Sequence, residues 1–392
     1  MRVAVIGAGV AGLSTAVGLQ RAGAHVTVLE RSGQLRPGGS GLSIFGNGRA
    51  ALDALGLTRE FDALTSETAG LLLGGMRKPN GAWIKVFPAE TVRDVRVIHR
   101  EELHNLLSSQ LEPGVVRLGT TISELTVTGD LRGRTAHGAA FHETFDLIVG
   151  ADGLRSTLRT LWPKDPGIRY AGYGAWRGVT SHPVDLHGEA GETWGRHQRF
   201  GIVPLPDGRV YWFAVDSRPA EATGPGVPET HGAQREVLER FGSWHAPIPE
   251  LVDATSSAAI QWLPIHELGA PLPSVRYGRA VLVGDAAHAM TPNLGQGGNQ
   301  ALEDSATLAV LLRTLARQDS PRPLDIDAAL AEYDRLRRPR TRRIARRSRL
   351  IGDAANLQGR GTSMVRDLAL QLTPTSALRR QFSTIHDWAP PP

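Results

Sequence analysis

The chain has 392 residues, 44 Lys plus Arg against 39 Asp plus Glu for a formal charge of +5, and no cysteine. That length implies two packed units, and the missing cysteine excludes disulfides, thiolate metal sites, iron–sulfur clusters and cysteine nucleophiles. Redox chemistry must then come from a bound organic cofactor, and no metal site is expected.

Scarce aromatics and abundant glycine fit an α/β protein with many tight strand-to-helix turns. The opening MRVAVIGAG reads as strand and turn rather than as a leader, and no apolar run reaches spanning length. A cytoplasmic protein, off the membrane, is the expectation.

Residues 2–30 place a short β-branched strand before Gly7-x-Gly9-x-x-Gly12, then a helix, then a second strand from His25 to Leu29 that ends at Glu30. This context gives a GxGxxG pattern its meaning. Gly7 allows the tight turn, Gly9 lets backbone approach a pyrophosphate, and Gly12 lets helix and strand pack closely. The helix start offers N–H groups and a positive dipole end to phosphates, and Glu30 stands where a carboxylate accepts ribose hydroxyls. The turn says dinucleotide and does not separate NAD from FAD.

Residues 145–159, FDLIVGADGLRSTLR, read as an apolar strand running into Asp152-Gly153 and then a helix carrying Arg155 and Arg159. From about 166 to 265 the pattern changes to strand-like alternation. Residues 199–205 and 209–215 should form a hairpin about Pro206-Asp-Gly208, in a mostly antiparallel sheet. Alternation puts Tyr211 and Phe213 on one face and Trp212 on the other, without saying which face meets a ligand.

Residues 280–312 form an apolar strand into Gly284-Asp285, followed by Pro292 and by Leu294-Gly-Gln-Gly-Gly-Asn299 before a helix expected from Gln300 to Leu312. Asp285 cannot face a phosphate without repulsion, so it should accept from hydroxyls, which a flavin ribityl chain supplies and NAD lacks. His288 reads as a hydrogen-bonded structural histidine rather than a base. After 321 the chain is helical. The arginine-rich run 333–349 reads as a solvated helix face, with Leu336, Ile344 and Leu350 available to a core. It carries no interleaved aromatics, so nucleic acid is not an expected partner.

Three fingerprints in order, Gly7-x-Gly9-x-x-Gly12, Asp152-Gly153 and Gly284-Asp-Ala-Ala-His288, resemble the para-hydroxybenzoate hydroxylase-like class A flavoprotein monooxygenases. The stretch YAGYGAWRGV looks like their salicylate/urate hydroxylase branch. The resemblance implies a Rossmann-like α/β FAD-binding domain in two parts, 1–165 and 266–320. A mostly antiparallel β-sheet substrate domain, 166–265, would be inserted between them, and C-terminal helices would occupy 321–392. It implies non-covalent FAD, transient NAD(P)H, O2 and a small-molecule substrate, in a monomer or homodimer.

FAD contacts are implied for Gly7, Gly9, Val10, Ala11, Gly12, Glu30, Arg31, Gly41, Ser43, Arg100, Ile122, Asp152, Asp285, Gly295, Gln296, Gly297, Gly298 and Asn299. Pro292 should lie at the reaction centre. Arg199 and Tyr211 fall where the urate branch carries substrate-contacting residues, although Arg177 and Asn299 depart from that branch and argue against urate itself. The implied reaction is insertion of one oxygen from O2 into an aromatic or other electron-rich molecule through a flavin hydroperoxide. A dehydrogenase or reductase of the same fold keeps all three motifs. A halogenase lacks support, since no Trp-x-Trp-x-Ile-Pro segment is present, and a non-enzymatic flavin-binding protein is the outside reading.

Overall fold

The computed structural model describes residues 1–35, 40–65, 72–88, 94–218 and 232–392. A six-stranded sheet has the order 276–277, 280–282, 147–150, 2–6, 25–29, 116–117 and is parallel except at Arg276–Tyr277. Its central strands are runs such as Val3, Ala4 and Val5, all fully buried. Such continuous apolarity is needed where both faces of a parallel sheet are covered.

Helix Val10–Ala22 packs against helix Gly297–Leu311. The contact is close because it is made of small residues: a Cβ on Gly18 would come within 2.9 Å of Ala309 Cβ. Ser14 and Thr15 hydroxyls meet Ser305 at 2.7 and 2.8 Å, so the polar atoms between these helices are satisfied by one another. The latter helix begins at Gly297, three residues before the expected Gln300.

A seven-stranded sheet carries the second core, in the order 261–268, 168–179, 210–217, 198–204, 189–194, 73–77, 83–86. The expected hairpin forms in the expected register, with Val203 opposite Tyr211 and Arg199 opposite Val215. The other side of this sheet packs Trp176, Phe200 and Trp212 against Val237, Phe241 and Leu251 of helices Ala233–Phe241 and Ile248–Asp253.

The contiguous 1–165 unit needs correction. Strands Leu73–Arg77 and Trp83–Val86 leave it and extend the seven-stranded sheet, the first pairing in parallel with Glu189–Trp194. The pairing buries Met76 and Ile84 with Trp194 and Ala355. The segment after Asp152-Gly153 also differs from the expected helix, being turns and a short 3-10 stretch, Arg159–Leu161. Arg159 is buried there, bound to Asp165 at 2.9 Å and to the Leu154 and Ala286 carbonyls.

The arginine-rich run lies in the long helix Pro323–Ala355 and is more than a solvated face. Arg337 is 2% exposed and bonds Glu303, Asp304 and Gln300, while Arg340 reaches Glu303 and Arg349 reaches Glu267. Ile344 faces the core as expected, but Leu350 is 56% exposed. No helix among the described residues is long and apolar enough to cross a membrane.

Candidate active site

One cavity of about 520 Å³ lies between the two sheets. The first turn, the loop before helix Gly297–Leu311 and one face of the seven-stranded sheet all reach it. Gly9, Val10, Ala11, Gly41, Ser43, Arg100, Asp285, Pro292, Gly295, Gly297 and Gly298 line it together with Arg199 and Tyr211.

The glycines of the first turn divide by what a side chain would meet. Gly7 has φ +103° and a Cβ there would come within 2.5 Å of Ala151 O, while one on Gly12 would come within 1.9 Å of Gly7 O. Both are demanded by the chain itself. A Cβ on Gly9 or on Gly297 would meet nothing within 4 Å among the described residues, so packing does not require bare backbone at these two positions and leaves room for a ligand to approach it. Helices Val10–Ala22 and Gly297–Leu311 both start without a side-chain cap, which leaves first-turn N–H groups for an anion. Asp152 Oδ1 is buried with no hydrogen-bond partner among the described residues. These features fit an extended dinucleotide with phosphates at the first turn and a ring at the second.

Other expected contacts sit off the cavity. Glu30 accepts from Ala8 N–H at 2.8 Å and Ser32 N–H at 2.9 Å, which leaves each carboxylate oxygen a further lone pair for hydroxyls. Arg31 beside it is exposed. Asp152 Oδ2 accepts from Thr157 and Leu158 N–H and holds the turn. Gln296 is bound to Asn47, and Asn299 accepts from Phe45 N–H and donates to Ser43 and Gly295 carbonyls, so both side chains set the loop. Ile122 does not line the cavity. It lies in the separate three-stranded sheet, half-buried against the core, on strand Thr121–Leu125, which pairs with Asp130–Arg134.

His288 is buried and hydrogen-bonded. Its Nε2 is 2.6 Å from Asp304 Oδ2, within the buried cluster that includes Arg337. Burial alone would raise Asp304, but His288 and Arg337 reverse that and hold it down to about 2.

On the sheet side, Tyr211, Phe213 and Val215 face the cavity and Trp212 faces the other core, which settles what alternation left open. Burial pushes the Tyr211 hydroxyl up against the opposing influence of Arg177 and Arg100. Arg199 Nη2 donates to Asn293 Oδ1 at 2.7 Å, and Asn293 Nδ2 donates to the Tyr173 hydroxyl at 2.9 Å. Asn293 belongs to the turn Pro292–Leu294, so the buried arginine of the sheet is tied to the loop of the other unit. Glu192 and Asn293, both on the cavity, were not found from sequence. An acidic residue within the alternating stretch 166–265 was the only signal for the first, and the position after Pro292 the only one for the second.

Residues 1–348 match the family profile described as FAD binding domain. The chain belongs to this family of class A flavin monooxygenases. It is similar to the aurachin C monooxygenase/isomerase of Stigmatella aurantiaca, 36% identical over 95% of this chain and 94% of the relative. It is also similar to the 2-heptyl-3-hydroxy-4(1H)-quinolone synthase of Pseudomonas aeruginosa, 30% identical over 97% and 96%. Among solved structures, Klebsiella pneumoniae HpxO complexed with FAD and uric acid aligns with a TM-score of 0.84 at 25% identity, covering 98% of this chain and 96% of that one. The protein is an FAD-dependent monooxygenase with NAD(P)H as reductant. When bound, FAD supplies hydride acceptance and the activation of oxygen; the chain supplies binding and orientation.

Proposed function

We propose that this enzyme hydroxylates a largely apolar aromatic ring, held between the loop 292–298 and the sheet face that carries Arg199 and Tyr211. One observation carries the reading: bare backbone at Gly297 and the carboxylate of Asp285 share a single cavity with Ala175, Val203, Phe213, Val215 and Leu263. In this reading Glu30 accepts from adenosine ribose hydroxyls and Asp285 from ribityl hydroxyls. Arg100 faces the phosphates, and the N–H groups of 297–299 offset negative charge on the pyrimidine edge. Arg199 and Tyr211 contact the substrate, and Pro292 borders the reacting atoms. The similarity to a quinolone-forming relative supports a fused heteroaromatic substrate. O2 is the oxygen source, and dependence on NAD(P)H supports a cytoplasmic enzyme, monomer or homodimer.

The test is a screen of phenols, hydroxyquinolines and related heteroaromatics for acceleration of NAD(P)H consumption under 18O2. The expected result is one labelled oxygen in the product and free FAD released on heating. NAD(P)H consumption without label in any product would assign the protein to the dehydrogenase or reductase class instead.

A further inference from the structure

The sheet face toward the cavity has a polar order. Its register aligns Arg177 with Phe213, Phe213 with Gly201, and Gly201 with Glu192, a single row across four strands. Phe213 lies over Gly201, where an added Cβ would come within 2.1 Å of the ring. The centre of the row is thus an aromatic floor. Arg177 stands at one end with no side-chain partner among the described residues, and Glu192 at the other; both line the cavity.

Glu192 Oε2 accepts from Trp194 Nε1 at 2.7 Å and lies 3.5 Å from Arg199 Nη1, while Oε1 has no hydrogen bond among the described residues. Arg199 is 2% exposed, and a cation that deep needs a counter-charge. Glu192 supplies it. The Glu192 end therefore carries a neutralised arginine and one free carboxylate acceptor, a combination that receives N–H or O–H and repels an incoming carboxylate.

We propose that Glu192 sets the substrate class: a neutral aromatic whose N–H or O–H edge points at Glu192 and whose ring lies on Phe213, with aromatic carboxylates disfavoured. The inference rests on the reading of this cavity as the substrate site, and it concerns binding rather than turnover.

The test uses the FAD-loaded enzyme and two probes on one ring, 4-hydroxyquinoline and quinoline-4-carboxylate, titrated by calorimetry. The parent should bind the neutral probe at least about tenfold more tightly. Glu192→Gln should bring the two within about threefold by strengthening the carboxylate, and Glu192→Asp should restore the preference. Flavin content and thermal melting report whether each variant is folded. Equal affinities in the parent, or a ratio unchanged in Glu192→Gln with both probes weakened together, would overturn the proposal and leave Glu192 as a brace for Arg199. A carboxylate bound as tightly as the neutral probe in the parent and lost in Arg177→Gln would overturn it too, assigning recognition to the opposite end. Probe binding with no aromatic turned over would instead remove the hydroxylase reading and leave the Glu192 ratio readable.

Discussion

Glu30 and Asp285 are assigned to hydroxyl groups of one cofactor, yet their removal should have different consequences. In Glu30→Ala the N–H groups of Ala8 and Ser32, bound at 2.8 and 2.9 Å, lose a charged acceptor. Both are only partly buried, so water recovers part of each bond and the loss is about 1.5–3 kcal/mol in all. Unfolding entropy of about 2.1 cal/mol/K per residue over 392 residues gives about 0.8 kcal/mol/K, hence a fall in apoprotein Tm of about 2–4 °C. Asp285 makes no side-chain bond within the described chain and faces the cavity. Asp285→Ala should therefore move apoprotein Tm by less than about 1 °C. FAD affinity should fall about ten- to hundredfold in both. Differential scanning fluorimetry of deflavinated protein and FAD titration by fluorescence quenching separate the two quantities. Matching apoprotein melts, or parental FAD affinity in Asp285→Ala, would refute the reasoning.

Gly9→Ala should fold and lose FAD affinity, whereas Gly12→Ala, with its Cβ 1.9 Å from Gly7 O, should lose soluble protein; far-UV circular dichroism and flavin occupancy distinguish them. Gly297→Val should keep its fold while lowering the flavin potential and slowing NAD(P)H-dependent bleaching. The same change at Gly298 must first displace Leu42, 3.1 Å from the new Cβ, and should cost thermal stability as well. Arg337→Met leaves buried Glu303 to Arg340 and buried Asp304 to His288, and should cost up to about 3–5 kcal/mol in urea unfolding. Since Asp304 titrates near 2 when folded and near 3.9 when unfolded, its contribution is present above about pH 4 and disappears as pH falls toward 2. Acid titration of the parent should show that loss, and Arg337→Met should begin unfolding at higher pH. Tyr211→Phe should retain FAD and raise substrate KM in steady-state assays, because its hydroxyl faces the cavity beside Arg177 and Arg100.

The cofactor half was legible because its residues are local in sequence. A strand, a turn and a helix start within a dozen residues suffice to place Gly7, Gly9 and Gly12, and Asp285 follows its strand directly. Where a contact depended on another element, spacing said nothing. The identity of Asn299 was visible, but not that it holds Phe45 and Ser43 some 250 positions away. Strands Leu73–Arg77 and Trp83–Val86 are joined through Asn80-Gly81, and such a turn, even where it signals a hairpin, does not name the sheet that the hairpin joins. Arg337 looked solvated because its counter-charges, Glu303 and Asp304, lie on a different helix.

The substrate half resisted for a further reason. The row of Arg177, Phe213, Gly201 and Glu192 draws one residue from each of four strands; the expected hairpin pairs Gly201 with Phe213, but nothing in the sequence brings Arg177 or Glu192 beside them. Gly201 shows what is lost: in sequence it weakens a strand, whereas in the sheet it is the space into which Phe213 lies flat. A larger residue there would lift that ring into the cavity and remove room for another. In this chain the residues assigned to the cofactor therefore sit in short local fingerprints, and those proposed to choose the substrate are brought into line by pairing across the sheet. Variation in substrate can then proceed strand by strand without disturbing the turn that holds the cofactor.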